Sequence, residues 1–352
     1  MYLFWKVYTT FGIAQSCVDA TYENLYIVDS ASLARHPLPS FCDKLQIGAN
    51  CTYYGTNGHI KLAINLYIAS IKIAEGEKSM DKKIILVTGA SSGMGKAAAR
   101  EMAVKGHKVY AVARRIEKME DLKSLGVTPL VLDITKEEQC REVVNRILEK
   151  EGQIDVLVNN AGYGLYGSVE DTPLSDARYQ FEVNIFGLAA ITQLVIPGMR
   201  ERKSGRIVNI SSMGGKIHTL FGAWYHATKY ALEGWSDCLR IELKEFGIDV
   251  VVVEPGGIQT EWGWIAMEKL EKISSTGPYS EIAQKVIKGT KELHEKNSLT
   301  PVDVLGKEIA KVSTEKKPKT RYLKGFMAKP LVLLKKMLSD RAFDKLILSQ
   351  YK

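Results

Sequence analysis

The chain has no Cys-x-x-Cys pair, no unbroken apolar run of 18 residues, and no internal repeat or low-complexity stretch. Each absence removes a class of protein. The five cysteines (Cys17, Cys42, Cys51, Cys140 and Cys238) form no metal-like cluster with the six histidines. That argues against a zinc module or a disulfide scaffold, so no metal is expected and a reduced, cytoplasmic setting is the default. Without a long apolar run no spanning helix is indicated. Without a basic segment leading into a clean apolar core, a secretory signal is not expected. Net charge is missing from most of the length. The whole of the +8 lies between Glu315 and Lys352, where eleven Lys or Arg face three acids. A neutral body with a basic tail lacks the broad basic face that nucleic acid requires. The tail reads first as a solvated face, with peripheral membrane contact a less favoured alternative.

What is present falls into three zones. Residues 1–79 hold seven of the sixteen tyrosines and three of the five cysteines, with little sustained periodicity. This segment is expected to be an extension dispensable to the rest of the chain. Met80, which immediately precedes the organised pattern, would make a natural start of the reading frame, and a genuine accessory segment is the rival. Residues 80–325 alternate short β-branched runs with helical segments. Residues 326–352 form a basic, amphipathic tail that reads as two short helices with Ser339-Asp340 as the cap between them.

Seven runs in the middle zone read as strands: "KIILVTG", "KVYAVAR", "TPLVLD", "IDVLVNNAG", "GRIVNISS", "GIDVVVVEPGG" and "TRYLKG". Each is apolar on both faces, as a parallel sheet covered by helices requires. "GKAAAREMAVKG" and "DITKEEQCREVVNRILEKEG" read as helices closed by glycine caps. The alternation predicts an α/β protein: a single Rossmann-type, doubly wound, parallel seven-stranded sheet with helices on both faces.

"VTGASSGMGKAAAR" places Gly89, Gly93 and Gly95 directly after the first strand and at the mouth of a helix. Glycines there let the backbone turn tightly and approach a pyrophosphate, while the helix N-terminus offers free N–H groups. The second strand selects the cofactor. A fold choosing NAD puts an acid at its end to hold the ribose 2′-hydroxyl, and here Ala113 is followed by Arg114 and Arg115. Guanidinium forks bind a 2′-phosphate bidentately, so NADP (as NADPH) is expected, with NAD as a weaker alternative.

Tyr225 and Lys229 stand one helical turn apart and share a face. Thirteen residues upstream, after the "NIS" run, is Ser212. A free tyrosine is a sound acid but a poor base near neutrality. A lysine one turn on favours the phenolate, which predicts a lowered phenol pKa and a group able to give a proton or take one.

In order and spacing these residues resemble the short-chain dehydrogenase/reductase superfamily, in its Tyr-x-x-x-Lys branch and its hydroxysteroid- and retinol-dehydrogenase-like members. The resemblance runs from about Lys83 to Gly325, more weakly to Lys352, and not over residues 1–79. It rests on "TGASSGMG" (88–95), "NNAG" (159–162), Asn184 in "FEVNIFG", Ser212, "YHATK" (225–229) and "PGGIQT" (255–260). The resemblance implies a catalytic set of Asn184, Ser212, Tyr225 and Lys229, with Asn184 holding a water that links Lys229 to solvent. It implies cofactor contacts from Gly89, Ser91, Ser92, Gly93, Met94 and Gly95 in the loop, and from Arg114, Arg115, Asp133 and Ile134 around the adenosine. Asn160, Ala161 and Gly162 fall on the ribose side, Tyr225 and Lys229 beside it, and Pro255, Gly256, Ile258 and Thr260 at the nicotinamide. One departure stands out: NADP-using members often carry a basic residue just before the second loop glycine, and here that residue is Ser92.

The implied function is an NADP-dependent oxidoreductase interconverting a carbonyl and an alcohol on a small hydrophobic substrate. A catalytically silent dinucleotide-binding scaffold of the same fold is the alternative. A sugar-nucleotide epimerase is disfavoured because only about 90 residues follow Thr260. Specificity is expected from Tyr163, Leu165, Met213, Gly214, Trp224 and the segment after Thr260, where Trp262, Trp264 and Met267 suggest an aromatic entrance to a mobile lid. Many members self-associate through the helices around Asn184 and Tyr225, so a homo-oligomer is expected.

Overall fold

The computed structural model describes residues 82–351 together with three short strands nearer the N-terminus. The chain divides into two units, Met1–Asp81 and Lys82–Lys352. In the first, Tyr26–Asp29, His59–Leu62 and Tyr53–Thr56 form an antiparallel sheet with His59–Leu62 in the middle. The expected start of the reading frame at Met80 lies outside the described residues.

The second unit is built on seven parallel strands: β1 (Ile84–Thr88), β2 (Lys108–Ala113), β3 (Thr128–Val131), β4 (Val156–Asn159), β5 (Gly205–Ile210), β6 (Ile248–Pro255) and β7 (Arg321–Lys324). Their order is β7-β6-β5-β4-β1-β2-β3. All seven runs read from the sequence are strands, and the sheet is doubly wound as expected. Successive residues serve opposite layers, which is why the strands are apolar throughout. Ile85 and Val87 pack with Ala98 and Met102 of α1 (Gly93–Val104) and with Leu305 and Ile309 of α7 (Val302–Thr314). Leu86, Tyr110 and Leu157 face the other layer, formed by α2 (Glu137–Glu151), α3 (Leu174–Glu201) and α4 (Ala223–Leu243). A Cβ on Gly306 would lie 2.6 Å from that of Ala97, so glycine sets the close crossing of α1 and α7.

α3 is long and apolar enough to cross a membrane by length and composition, although no unbroken apolar run marks it. Ile191, Val195 and Met199 on its inner face are buried against the sheet, the ordinary reason for an apolar core helix. Five of its residues, Glu182–Phe186, adopt π geometry, a form that concentrates at functional sites. The strand order reverses between β1 and β4, where one crossover goes left and the next right. That opens a crevice at the carboxyl ends of the strands.

Two helices, α5 (Glu261–Ser274) and α6 (Ser280–Glu295), pack on each other through Ala266, Met267, Leu270, Ala283, Val286 and Ile287. They roof one side of the crevice. The tail forms α8 (Ala328–Met337) and α9 (Asp340–Ser349). Ser339 caps α9, its hydroxyl accepting from Ala342 N at 3.4 Å. Leu331, Val332, Phe343 and Ile347 bury Ile217, so the tail packs on the body.

Candidate active site

A cavity of about 740 Å³ occupies the crevice. Its far end is the β1–α1 loop. Gly89 and Gly93 both take left-handed φ, +65° and +56°, which a residue with a Cβ rarely adopts. A Cβ at Gly89 would stand 2.7 Å from Ala161 Cα, and one at Gly95 would overlap Asn160 Nδ2. The loop is thus pressed onto the end of β4. Thr88 Oγ1 accepts from the backbone N–H groups of Asn160 and Ala161, each at 3.0 Å. Asn160 Nδ2 donates to Thr88 O at 3.0 Å and to Gly89 O at 3.1 Å. Asn160 lines the cavity, yet its amide braces the loop. Ser92 stands at the N-cap of α1 with no side-chain cap bond, leaving the helix's first N–H groups to face the crevice. An unsubstituted backbone cradle with orphan donors fits a pyrophosphate.

The groove continues past the ends of β2 and β3. Arg115 Nη2 donates to Ser91 Oγ at 3.4 Å and Arg114 Nη1 to Tyr179 Oη at 3.1 Å. Both guanidinium groups therefore rest on neutral hydroxyls, with their charge available to an anion. Asp133 accepts from Thr135 N and Oγ1 through one oxygen, and with Ile134 it lines this part of the cavity. Sequence reasoning missed Tyr179, which comes from the N-terminal part of α3 and has its ring centre 6.1 Å from that of Tyr163, tilted by 42°; nothing local marks it.

At the near end, α4 supplies Tyr225 and Lys229, each 7% exposed. Lys229 Nζ donates to Ile210 O at 2.8 Å and lies 5.9 Å from the centre of the Tyr225 ring. The Ser212 hydroxyl is near enough to the Tyr225 phenol to favour its ionised form. Ser212 Oγ in turn accepts from Gly214 N at 3.0 Å and sits 3.4 Å from Pro255 O. Asn184, in the π segment, accepts from Tyr163 N at 3.1 Å and donates to Tyr163 O at 3.1 Å and Thr228 Oγ1 at 3.0 Å. It clamps the loop after β4 to α4. Of the four residues expected to act together, Ser212, Tyr225 and Lys229 line the cavity, whereas Asn184 is buried behind it against Tyr163 and Thr228.

The expected lowering of the Tyr225 phenol is not what the structure shows. Burial pushes its pKa well above the ordinary phenol value, helped by the neighbouring Tyr166 and opposed by the nearby Ser212 hydroxyl. The ammonium is aimed at the Ile210 carbonyl, and its own pKa is pushed down to about 8 by burial, against an upward pull from Glu233. Burial works on both groups, which spacing along one helix does not reveal.

Met213, Gly214, Tyr163, Leu165 and Trp262 line the cavity as expected. Trp224, Trp264 and Met267 do not. Met267 is part of the α5–α6 core, and Trp264 stacks outside on His294 with ring centres 5.0 Å apart. Tyr166, Thr219 and His226 line it too, and sequence reasoning singled out none of them. Trp262 lies 5.0 Å from the Tyr225 ring and 6.1 Å from that of Tyr166. It lies over Gly164, where a Cβ would overlap the indole.

The short-chain dehydrogenase family model matches residues 83–270. The chain belongs to this family. A probable short-chain type dehydrogenase/reductase, VdlC, of Helicobacter pylori is 35% identical across 74% of this chain and 95% of its own length. The 3-ketodihydrosphingosine reductase of Bacteroides thetaiotaomicron is 35% identical across 69% of this chain and 87% of its own. Among solved structures, a short-chain dehydrogenase of Streptomyces avermitilis superposes with a TM-score of 0.63 at 34% identity, covering 76% of this chain and 97% of that one. A serine dehydrogenase in closed form with NADP+ gives 0.61 at 27%, covering 69% and 94%. The short-chain dehydrogenase fold and oxidoreductase class of this chain follow from these likenesses.

Proposed function

We propose that this oxidoreductase prefers NADPH and reduces a carbonyl on a largely apolar substrate, with Tyr225 as the proton donor. The observation that carries the reading is the buried Tyr225, which lines one cavity with Ser212, Lys229 and the glycine loop after β1. When bound, the cofactor supplies the hydride. The chain's own residues do the rest. A phenol is protonated at neutral pH and can give its proton to a developing alkoxide, which is the stronger base. Ser212 orients the same oxygen, and Asn184 fixes the loop beside it. Lys229 keeps a positive charge close to where negative charge develops, which stabilises the transition state more than the ground state. Trp262 covers the phenol and excludes water. The fit to NADPH rests on Arg114 and Arg115, and NADP-bound relatives such as the serine dehydrogenase support it.

Titrating the protein with NADPH and NADH while following nicotinamide fluorescence tests the cofactor half. Tighter NADPH binding is expected, and Arg114→Asp should move the preference toward NADH by tenfold or more. An unchanged ratio would relocate the phosphate site. We also propose self-association through the α3 and α4 faces, where Phe186, Tyr230 and Ile241 leave apolar side chains exposed.

A further inference from the structure

The wall of the cavity carries one charge that neither the cofactor groove nor the proton donor accounts for. Arg114, Arg115 and Asp133 line the groove past β2 and β3, and Lys229 lies beside Tyr225. Glu261, at the start of α5, is 3.7 Å from Lys118. Asp176 lies one turn before Tyr179 on α3, on the side where Arg114 rests. That leaves Lys269 of α5, which lines the cavity and is partly buried. Its ammonium makes no hydrogen bond or ion pair among the described residues. The helix itself supplies no partner, because Ile265, Ala266, Lys272 and Ile273 stand one turn to either side. Lysine is seldom withdrawn from water unpaired.

The place of Lys269 on α5 relates it to the reacting end of the cavity. Trp262, Ile265 and Lys269 recur at helical spacing, so they share one face, and all three line the cavity. Trp262 lies 5.0 Å from the Tyr225 ring, so this face runs outward from the proton donor. Lys269 stands two turns beyond Trp262, about 10 Å along the axis, and a helical side chain leans back toward the N-terminus. Between the two on that face is the apolar Ile265.

We propose that Lys269 determines specificity by pairing with a carboxylate on the substrate, separated by several carbons of apolar chain from the carbonyl that Tyr225 protonates. The substrate class is an oxo acid whose two functional groups stand far apart. This rests on the carbonyl-reductase reading above. A single cation matches a monoanion. A substrate that fills the cavity strips water from the ammonium, so an uncharged ligand of the same shape leaves it without a partner.

The test uses the full chain with NADPH and three ketones of equal chain length. They are a methyl ketone with a carboxylate at its far end, the methyl ester of that acid, and an α-oxo acid. The wild type should favour the far-end acid over its ester at least tenfold in kcat/KM, mostly through KM, and added salt should narrow the gap. Lys269→Met keeps the stem and should collapse the ratio toward one. Lys269→Glu should turn it in favour of the ester, and it decides the matter if the first variant does not fold. Equal use of acid and ester by the wild type, a preference that survives both variants, or better use of the α-oxo acid overturns the subsite and leaves the reductase reading intact. If none of the three is reduced, the reductase reading fails, and quenching of tryptophan fluorescence by decanoate and by decanol decides the subsite separately. Equal quenching overturns it. Tighter binding of decanoate that is lost in Lys269→Met upholds it.

Discussion

Lys229 is held where lysines are seldom found, 7% exposed, with its ammonium on a backbone carbonyl. Its pKa near 8 lies below the ordinary 10.5. Between those two values the unfolded chain keeps a proton that the folded chain has given up. Stability contributed through this group therefore rises with pH across that window and is flat below it. The full rise amounts to about 3 kcal/mol. Urea unfolding at pH 7.5 and 9.5 should show the gain in the wild type and lose it in Lys229→Met. Tyr225→Phe removes the proton donor and keeps the ring that packs on Trp262. Turnover should fall by roughly a thousandfold with NADPH affinity held within a few-fold, as stopped-flow kinetics and equilibrium titration would show. Retained turnover would assign the proton to another group. At this scale the sequence was readable where chemistry follows from type and spacing, as for Ser212, Tyr225 and Lys229. It was not readable where a side chain reaches the site from a distant element. Tyr179 arrives from α3, and Tyr166, Thr219 and His226 are polar residues that share the cavity only once two loops and α4 have met. The direction of the Tyr225 shift failed for the same reason: the lysine is visible in "YHATK", but the desolvation around it is not.

The strands and the helices α1, α2 and α4 were legible because both-sided apolar runs and glycine caps are local signals. Gly106 and Gly152 do take left-handed φ at the ends of α1 and α2. The lid was legible only in outline. Its tryptophans are alike in sequence, yet Trp262 turns into the cavity and Trp264 turns out, a difference set by how α5 lies on α6 and on His294. The contact of Trp262 with Gly164 makes the position of α5 sensitive to one methyl group. Gly164→Ala should displace the N-terminal turn of α5, raise KM more than it lowers kcat, and speed proteolytic cleavage within 261–279. A cleavage rate equal to that of the wild type would mean that α5 is held from elsewhere.

Across the second unit, the edge strand of the sheet is tied to the site by charge. Arg321 on β7 contacts Glu233 on α4 and Glu254 on β6, both at 3.1 Å, and Asp237 at 2.7 Å. Lys216, just past the Ser212 turn, reaches Glu233 at 3.2 Å and Glu254 at 3.3 Å. Two buried carboxylates thus share two cations, and burial beside Glu233 raises the Glu254 pKa. Removing one cation leaves carboxylate charge buried with a single partner, which is costly. Arg321→Met should lower stability by about 3 kcal/mol, measured by denaturant unfolding near pH 7. The deficit should shrink as the pH falls and Glu254 takes up a proton. The basic stretch from Glu315 onward thus has an internal use that net charge alone does not disclose: two of its eleven cations, Arg321 and Lys324, fasten the last strand.

The fit of Gly95 against Asn160 has a consequence for descent. Because a Cβ at Gly95 would overlap the Asn160 amide, a lineage cannot enlarge the first residue while the second keeps its length. Shrinking Asn160 first would forfeit the bonds to Thr88 O and Gly89 O and open no path, because that Cβ would still lie 2.7 Å from the backbone oxygen of Gly89. Position 95 should therefore stay glycine whatever stands at position 160, 65 residues further on.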